Sequence, residues 1–405
     1  MKRDNVRLLG PILFGFFVMG FGDIIGTVMN QVTEECAAHA DAIRFWMPIF
    51  AYGWFLLISL PTGVLCGRIG RKRTVLLSLA VTTVAMAVPL AADAERWWLY
   101  VVAFALVGIG NTIIQAALPA LMSNVVAPDQ FTSRLSLGQF VKAVCAALTP
   151  VFVYLTATAL GDWKLLFPLY GLLTVACAVG LLATRLPDER RVEASGTDAA
   201  QGAGRTSLAS CLALLKDPTV AAMTVGIFFS VGADVGFSIA IPEYLKNVYQ
   251  VDKNLAGMGP TVYFVAKTLA AFAGAILFAK VSAATCFPYF MGLGVLLTLA
   301  ILVAPGAAAF LVLVFAVALL TANSFGMCMG LAMNRAPAKA NEISALMVMA
   351  IVGGGIVSAL FAPARRAFGP AGLVGVLALC LAYLFALGVF ARVDAHTEKR
   401  RHGEK

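Results

Sequence analysis

Long apolar runs separated by short polar connections fill the chain from about residue 8 onward. An α-helix needs about 20 apolar residues to cross a bilayer, and twelve runs reach that length. The predicted spans are 8–30, 44–66, 74–92, 97–125, 135–160, 164–186, 218–246, 255–279, 286–303, 307–333, 340–361 and 369–392. The first run is too long for a signal peptide and lacks a small-residue cleavage site, so we expect it to be retained as a helix. The pattern predicts an all-α transmembrane protein.

The longest polar interval lies in the middle of the chain. It runs from Pro187 to Ser207 and is rich in Asp, Glu, Arg, Gly, Ala and Ser, a composition typical of a linker. It divides the twelve spans into two sets of six, which predicts two pseudo-symmetric six-helix bundles. The predicted domains are an N-terminal bundle at 1–186, a cytoplasmic linker at 187–216, a C-terminal bundle at 217–392 and a cytoplasmic tail at 393–405.

Composition and charge agree with a multi-pass membrane protein. The chain is 60% hydrophobic and 13% charged, against about 25% charged residues in soluble domains. If both termini are cytoplasmic, 21 of the 30 Lys and Arg residues fall inside, 7 fall outside and 2 lie within helices. This is the bias of the positive-inside rule, so the net charge of +9 reflects topology and predicts no nucleic-acid partner. We expect a multi-pass protein of a bacterial inner membrane with both termini cytoplasmic.

Two carboxylates interrupt the apolar runs, one in each half. Asp23 shares a helical face with Thr27 and Asn30, at spacings of four and seven residues, and Asp234 lies in the seventh span. At 1.5 Å per residue both acids lie roughly 18–24 Å beyond the start of their helices, near the bilayer midplane. Ionisable residues at that depth usually face a water-filled cavity and mark a substrate or ion pathway. Each acid is therefore a candidate for binding substrate or a coupling cation.

Other polar side chains recur at helical spacing. Amides and amines inside a bilayer need partners, so they either bridge helices or contact a polar substrate. The same alternative holds for the acids, which could be structural carboxylates paired with Lys142 or Lys267. Among the remaining candidates are the pairs Asn111 and Gln115, Gln139 and Lys142, and Tyr263 and Lys267, together with Asn323.

The motifs of common enzymes are missing from the sequence. There is no GxSxG, HExxH or P-loop pattern, and no GxGxxG follows a strand. The eight Cys contain no CxxC pair, and the three His fall in predicted loops or in the tail. We therefore expect no enzyme activity, no metal site and no cofactor, and transport driven by a gradient rather than by ATP hydrolysis.

The connection between the second and third spans carries a recognisable motif. The stretch 63–74 reads GVLCGRIGRKRT and resembles the signature loop of the major facilitator superfamily, which implies the twelve-helix fold of that family. By this resemblance the gating loop consists of Gly63, Arg68, Gly70, Arg71 and Lys72. The sequence departs from the family at Gly67, where an aspartate is usual.

Finer matches indicate one branch of that family. The stretches 135–140, 231–236 and 344–354 resemble the fucose/proton symporter branch, which includes glucose/galactose permeases and imports sugars with H+ or Na+. The resemblance places the first-helix acid of the branch on Asp23, its fifth-helix glutamine on Gln139 and its seventh-helix polar residue on Asp234. Ile114 stands where the fucose permease has a glutamate, and Lys267 lies one turn before the expected arginine.

These observations predict a secondary active transporter that imports a monosaccharide or related polar solute by alternating access, together with H+ in preference to Na+. We expect the partners to be this sugar-like solute, the coupling cation and membrane lipid. Cation coupling is assigned to Asp23 and Asp234. The expected substrate-binding residues are Asn30, Asn111, Gln115, Gln139, Lys142, Asp234, Lys267 and Asn323. Two alternatives stay open: export of an amphipathic compound, and a membrane sensor built on a transporter scaffold.

Overall fold

The structure is a computed structural model that describes residues 5–184, 208–252, 256 and 259–403. Every regular element in this part of the chain is helical. The first nine α-helices are α1 Asn5–Met19, α2 Ile25–Glu35, α3 Ala40–Tyr52, α4 Trp54–Ile69, α5 Arg71–Ala87, α6 Trp98–Met122, α7 Phe131–Ala159, α8 Leu166–Ala183 and α9 Leu208–Ala213. The next nine are α10 Pro218–Asn247, α11 Gly259–Leu277, α12 Ala283–Ala300, α13 Ala307–Thr321, α14 Ser324–Arg335, α15 Ala340–Met349, α16 Gly353–Ala359, α17 Phe361–Phe368 and α18 Pro370–Gly403.

Ten helical stretches of the described residues are long and apolar enough to cross a membrane. The all-helical transmembrane class predicted from the sequence is confirmed. The run predicted at 8–30 is interrupted: a 3₁₀ segment, Gly20–Ile24, separates α1 from α2. The span predicted at 340–361 is likewise divided by the 3₁₀ segment Ala350–Val352. Hydrophobicity alone did not predict these breaks, because a 3₁₀ turn and an α-turn can bury the same apolar residues.

Residues 187–207 of the predicted linker lie outside the described residues, and its later part includes α9. The four predicted domains and the bounds given for them stay a prediction.

The first of two compact units comprises Met1–Pro128, Val141–Leu214 and Ala336–Met349. Its central helix is α6, in which every residue from Gly110 to Met122 is buried, as expected for a helix that is apolar on all sides. Helices α3, α4, α5 and α15 all pack against α6.

The second compact unit comprises Asp129–Phe140, Leu215–Arg335 and Ala350–Lys405. Helix α10 packs against α11, α14, α16 and α18, while α12 packs along α18. The start of α10 is fixed by Asp217, whose carboxylate accepts hydrogen bonds from the backbone N–H groups of Thr219 (2.9 Å) and Val220 (3.3 Å). This is the N-cap arrangement expected of an aspartate before a proline at the first helical position.

Candidate functional site

A charged cluster lies within the membrane-spanning helices of the second unit. The two carboxylate oxygens of Asp234 on α10 have different partners on α11: Lys267 Nζ lies 2.6 Å from Oδ2, and the Tyr263 hydroxyl donates to Oδ1 at 2.7 Å. The Asp234 and Lys267 side chains remain 26% and 22% exposed, so the pair is not fully enclosed by protein. The structure thus brings together two predicted site residues, and the alternative that Asp234 pairs with Lys267 is the arrangement found.

Helix packing determines the position of this cluster. Gly232, two residues before Asp234, faces Val357 on α16 so closely that a Cβ at this glycine would lie 2.5 Å from Val357 Cγ2. Such contact requires the absence of a side chain. On the α11 side, the Tyr263 ring is fully buried and stacks on Phe237 with ring centroids 5.2 Å apart. Asp234 and Phe237 therefore contact the same tyrosine from one face of α10.

The first unit contains a smaller polar site around Asn111 on α6. Asn111 is 6% exposed, and its Oδ1 atom has no hydrogen-bond partner in the described part of the chain. A cavity of about 10 Å³ lies beside it, lined by residues that include Gly22 and Thr82, and this is about the smallest volume that can hold one water molecule. A Cβ at Gly22 would lie 1.9 Å from Asn111 Nδ2. The 3₁₀ segment Gly20–Ile24 therefore sits directly against this amide.

Asp23 lies in the same 3₁₀ segment, and Asn30 lies on α2. The side chains of both fall outside the described residues. A 3₁₀ stretch inside a longer helix often marks a functional hinge, and here it coincides with the predicted coupling acid. Three glycines, at positions 20, 22 and 26, are the sequence feature that could have indicated the break.

The remaining predicted residues occupy several environments. Gln115 is buried on α6, whereas Gln139 and Lys142 on α7 are partly exposed. Asn323 is buried between α13 and α14, and its Nδ2 donates to the Ala270 carbonyl of α11 at 2.8 Å. This bond bridges two helices, one of the two roles open to such amides.

The predicted gating loop is built around Arg71 at the start of α5. Gly70 has φ of 93°, a backbone conformation that favours glycine, and turns the chain from α4 into α5. The Arg71 guanidinium donates to Asn341 Oδ1 (2.7 Å), the Ala120 carbonyl (3.1 Å), Ser123 Oγ (3.3 Å) and Asn124 Oδ1.

Two further contacts involve this loop region. A Cβ at Gly63 would lie 2.6 Å from Ala345 Cβ, so α4 and α15 are in direct contact. Lys72 Nζ donates to the Thr184 carbonyl at 2.8 Å, next to the end of α8. Arg68 is exposed.

Sequence reasoning missed the acceptors of Arg71. Asn341 is 270 residues away along the chain, and no spacing rule relates the two positions. A second missed cluster joins Glu35 at the end of α2 to Lys164 (2.7 Å) and to the Tyr100 hydroxyl (3.1 Å).

Comparisons with known proteins agree with this architecture. Residues 12–363 match the sequence profile of the Major Facilitator Superfamily. The glucose/galactose transporter of Brucella abortus biovar 1 (strain 9-941) is 25% identical over 398 residues, covering 92% of this chain and 91% of that protein.

Two solved structures have a similar fold. The E. coli fucose:proton symporter FucP has a TM-score of 0.82 at 17% identity, covering 96% of this chain and 99% of that one. A bacterial homologue of the iron transporter ferroportin has a TM-score of 0.74 at 13% identity, with 96% and 99% covered. The twelve-helix fold implied by the sequence motifs is thereby confirmed.

Proposed function

The chain belongs to the Major Facilitator Superfamily, a family of membrane transporters and not of enzymes, and from this premise we propose that it imports a monosaccharide or related polar solute together with a cation. H+ is favoured over Na+ as that cation. Transport proceeds by alternating access, in which two bundles rock around a site near the bilayer midplane. The protein is a multi-pass membrane protein, and we assign it to a bacterial inner membrane with both termini cytoplasmic.

The observation that carries this proposal is the partly exposed group of Asp234, Lys267 and Tyr263 inside otherwise apolar helices. A carboxylate, an ammonium and a phenol together offer donors and acceptors for hydroxyl groups, which is what a sugar presents. Relatives named as a glucose/galactose transporter and a fucose:proton symporter support this solute class. We assign substrate contact to Asn30, Asn111, Gln115, Gln139, Lys142, Asp234, Lys267 and Asn323.

Asp23 is the acid that we assign to the coupling cation. It lies on the 3₁₀ segment that interrupts the first span, where the backbone departs from the regular α-helix. Asp234, the second acid predicted for coupling, already has an internal cation in Lys267. The gating role remains assigned to Gly63, Arg68, Gly70, Arg71 and Lys72, and the hydrogen bond of Arg71 to the α15 side chain of Asn341 supports it.

Uptake into proteoliposomes tests the proposal. A panel of radiolabelled monosaccharides is offered with an imposed pH gradient, an imposed Na+ gradient or neither. We expect one or more sugars to accumulate when the outside is acidic. Failure of every sugar to enter under all three conditions would refute sugar import, and outward movement of an amphipathic dye would favour the efflux alternative.

Asp23→Asn tests the coupling assignment separately. The variant should lose accumulation driven by the pH gradient but retain exchange of labelled for unlabelled sugar, since exchange needs no net cation movement. Glu34→Gln is the matched control, because Glu34 is an exposed carboxylate on neighbouring α2. Unchanged accumulation and pH profile in Asp23→Asn would show that Asp23 is not the coupling acid.

A further inference from the structure

Each of the two carboxylate oxygens of Asp234 already has a donor on α11. Lys267 Nζ lies 2.6 Å from Oδ2, and the Tyr263 hydroxyl donates to Oδ1 at 2.7 Å. A carboxylate inside a membrane protein requires a compensating charge, which can be a proton, a metal cation or a basic side chain. Here the basic side chain occupies that position.

The position of Lys267 is fixed by the helix that carries it. Lys267 and Tyr263 are four residues apart on α11 and therefore share a face. Tyr263 is fully buried and stacks on Phe237, and the Lys267 ammonium lies 5.7 Å from the centroid of the Tyr263 ring. The Lys267 side chain thus reaches Asp234 across the Tyr263 ring, which is packed between α10 and α11. A flexible surface ion pair would have no such support.

Other charged or titratable groups on α10 and on the helices packed against it have their own environments. Tyr383 donates to the Ala222 carbonyl (3.2 Å), Arg392 to Tyr289 (2.6 Å), and Arg335 lies 3.5 Å from Asp217. Glu243 pairs with Arg365, and Cys328 Sγ lies beside Gly226. Tyr244 stacks on Phe310, Cys380 is buried, and Lys246 is exposed at the end of α10. Among the described residues, the ionic partner of Asp234 is Lys267.

We propose that Lys267 is a tethered counter-cation that takes the place of a soluble coupling ion on Asp234. The inference rests on the proposed function, because it concerns the same transport site. It assigns the two predicted acids different roles: Asp23 responds to the external cation, while the Asp234 half of the site is neutral without one. A hydroxylated solute can then bind to the Asp234–Lys267 pair without uptake of a second ion.

Removal of the ammonium should create an ion dependence that the wild-type pair lacks. In Lys267→Gln the Asp234 carboxylate has lost its cation and must take up H+ or Na+. We would measure thermal unfolding of the purified full-length protein from pH 5.5 to 8.5, in sodium chloride and in choline chloride. Relative to wild type, Lys267→Gln should gain roughly 3 °C or more on acidification or on addition of sodium at pH 8.5. Lys267→Arg should behave as wild type.

The double variant Asp234→Asn/Lys267→Gln is the decisive control. With neither charge present, its response to pH and sodium should return to that of wild type. If the single variant fails to fold while the double variant folds, the need of Asp234 for a cation is equally supported. If single and double variants have the wild-type pH and sodium profile, or lose folding to the same extent, the proposal is overturned. Because thermal unfolding is measured without sugar, the pH and sodium dependence of unfolding can be interpreted even if the protein fails to import sugar.

Discussion

Arg71 offers a quantitative test of the contact between α5 and α15. Its guanidinium donates to Asn341 Oδ1 at 2.7 Å and to three acceptors at residues 120–124. A hydrogen bond to a charged group contributes about 1.5–3 kcal/mol. Since Arg71 is only partly buried, we take about 2 kcal/mol for the bond to Asn341. Arg71→Ala should therefore raise the population in which α15 separates from α5 by about 30-fold, at 1.4 kcal/mol for each factor of ten.

Cys66 supplies a reporter for this separation. It is 2% exposed and lies one turn from Gly63, the residue at which α4 contacts α15. In a variant that retains Cys66 as its sole cysteine, the rate of maleimide labelling should rise with the population of the separated form. Asn341→Leu should raise the rate by a similar factor, and the double variant Arg71→Ala/Asn341→Leu should add little, because both remove the same bond.

Arg73→Ala is the matched control. It removes a guanidinium two residues further along α5, but the Arg73 side chain is exposed, whereas Arg71 is partly buried against its acceptors. The labelling rate of Arg73→Ala should remain within about threefold of the wild-type rate, in line with the small effect of exposed charges. If Arg71→Ala labels at the rate of Arg73→Ala, the hydrogen bonds of Arg71 do not hold α15, and the reasoning is refuted.

Three further predictions follow from single contacts. Gly22→Ala should destabilise the protein by about 1–3 kcal/mol, because its Cβ would overlap the Asn111 amide, and the added change Asn111→Ala should restore part of the loss in a thermal unfolding assay. Tyr263→Phe should cost about 1–3 kcal/mol of stability by leaving Asp234 Oδ1 without its donor, and an unchanged unfolding midpoint would contradict this. Burial raises the pKa of the Cys211 thiol from 9.0 to about 11, so native protein should react with iodoacetamide at neutral pH about 100-fold more slowly than unfolded protein, and equal rates would exclude the shift.

The sequence was sufficient to predict the helices, but not which side chains on different helices contact each other. Apolar runs predicted the span at 97–125, which the structure forms as Trp98–Met122, because length and hydrophobicity are local properties. The acid at 234 and the lysine at 267 were each recognisable as costly charges. Their separation of 2.6 Å depends on how α10 and α11 pack, which no spacing along one helix encodes.

The same limit applies to the Arg71 contacts and to the helix breaks. In the sequence, Asn341 cannot be told apart from other polar residues near a helix start. Only the packing of α15 beside α5 shows that it accepts a hydrogen bond from Arg71. The glycines around residue 22 permitted a 3₁₀ turn without requiring one. The Asn111 amide, against which this turn packs, lies in a different helix, so the reason for the break is not local to the first span.

The 3₁₀ segment changes the direction in which the second part of the first span faces. A 3₁₀ helix advances by three residues per turn and an α-helix by 3.6, a difference of about 20° for each residue. Over the five residues of Gly20–Ile24 this amounts to a rotation of about 100°, with an added length of about 2.5 Å. A helical wheel drawn continuously over 8–30 therefore gives the wrong rotation of α2 about the helix axis relative to α1. The face that α2 presents is therefore set independently of the face that α1 presents.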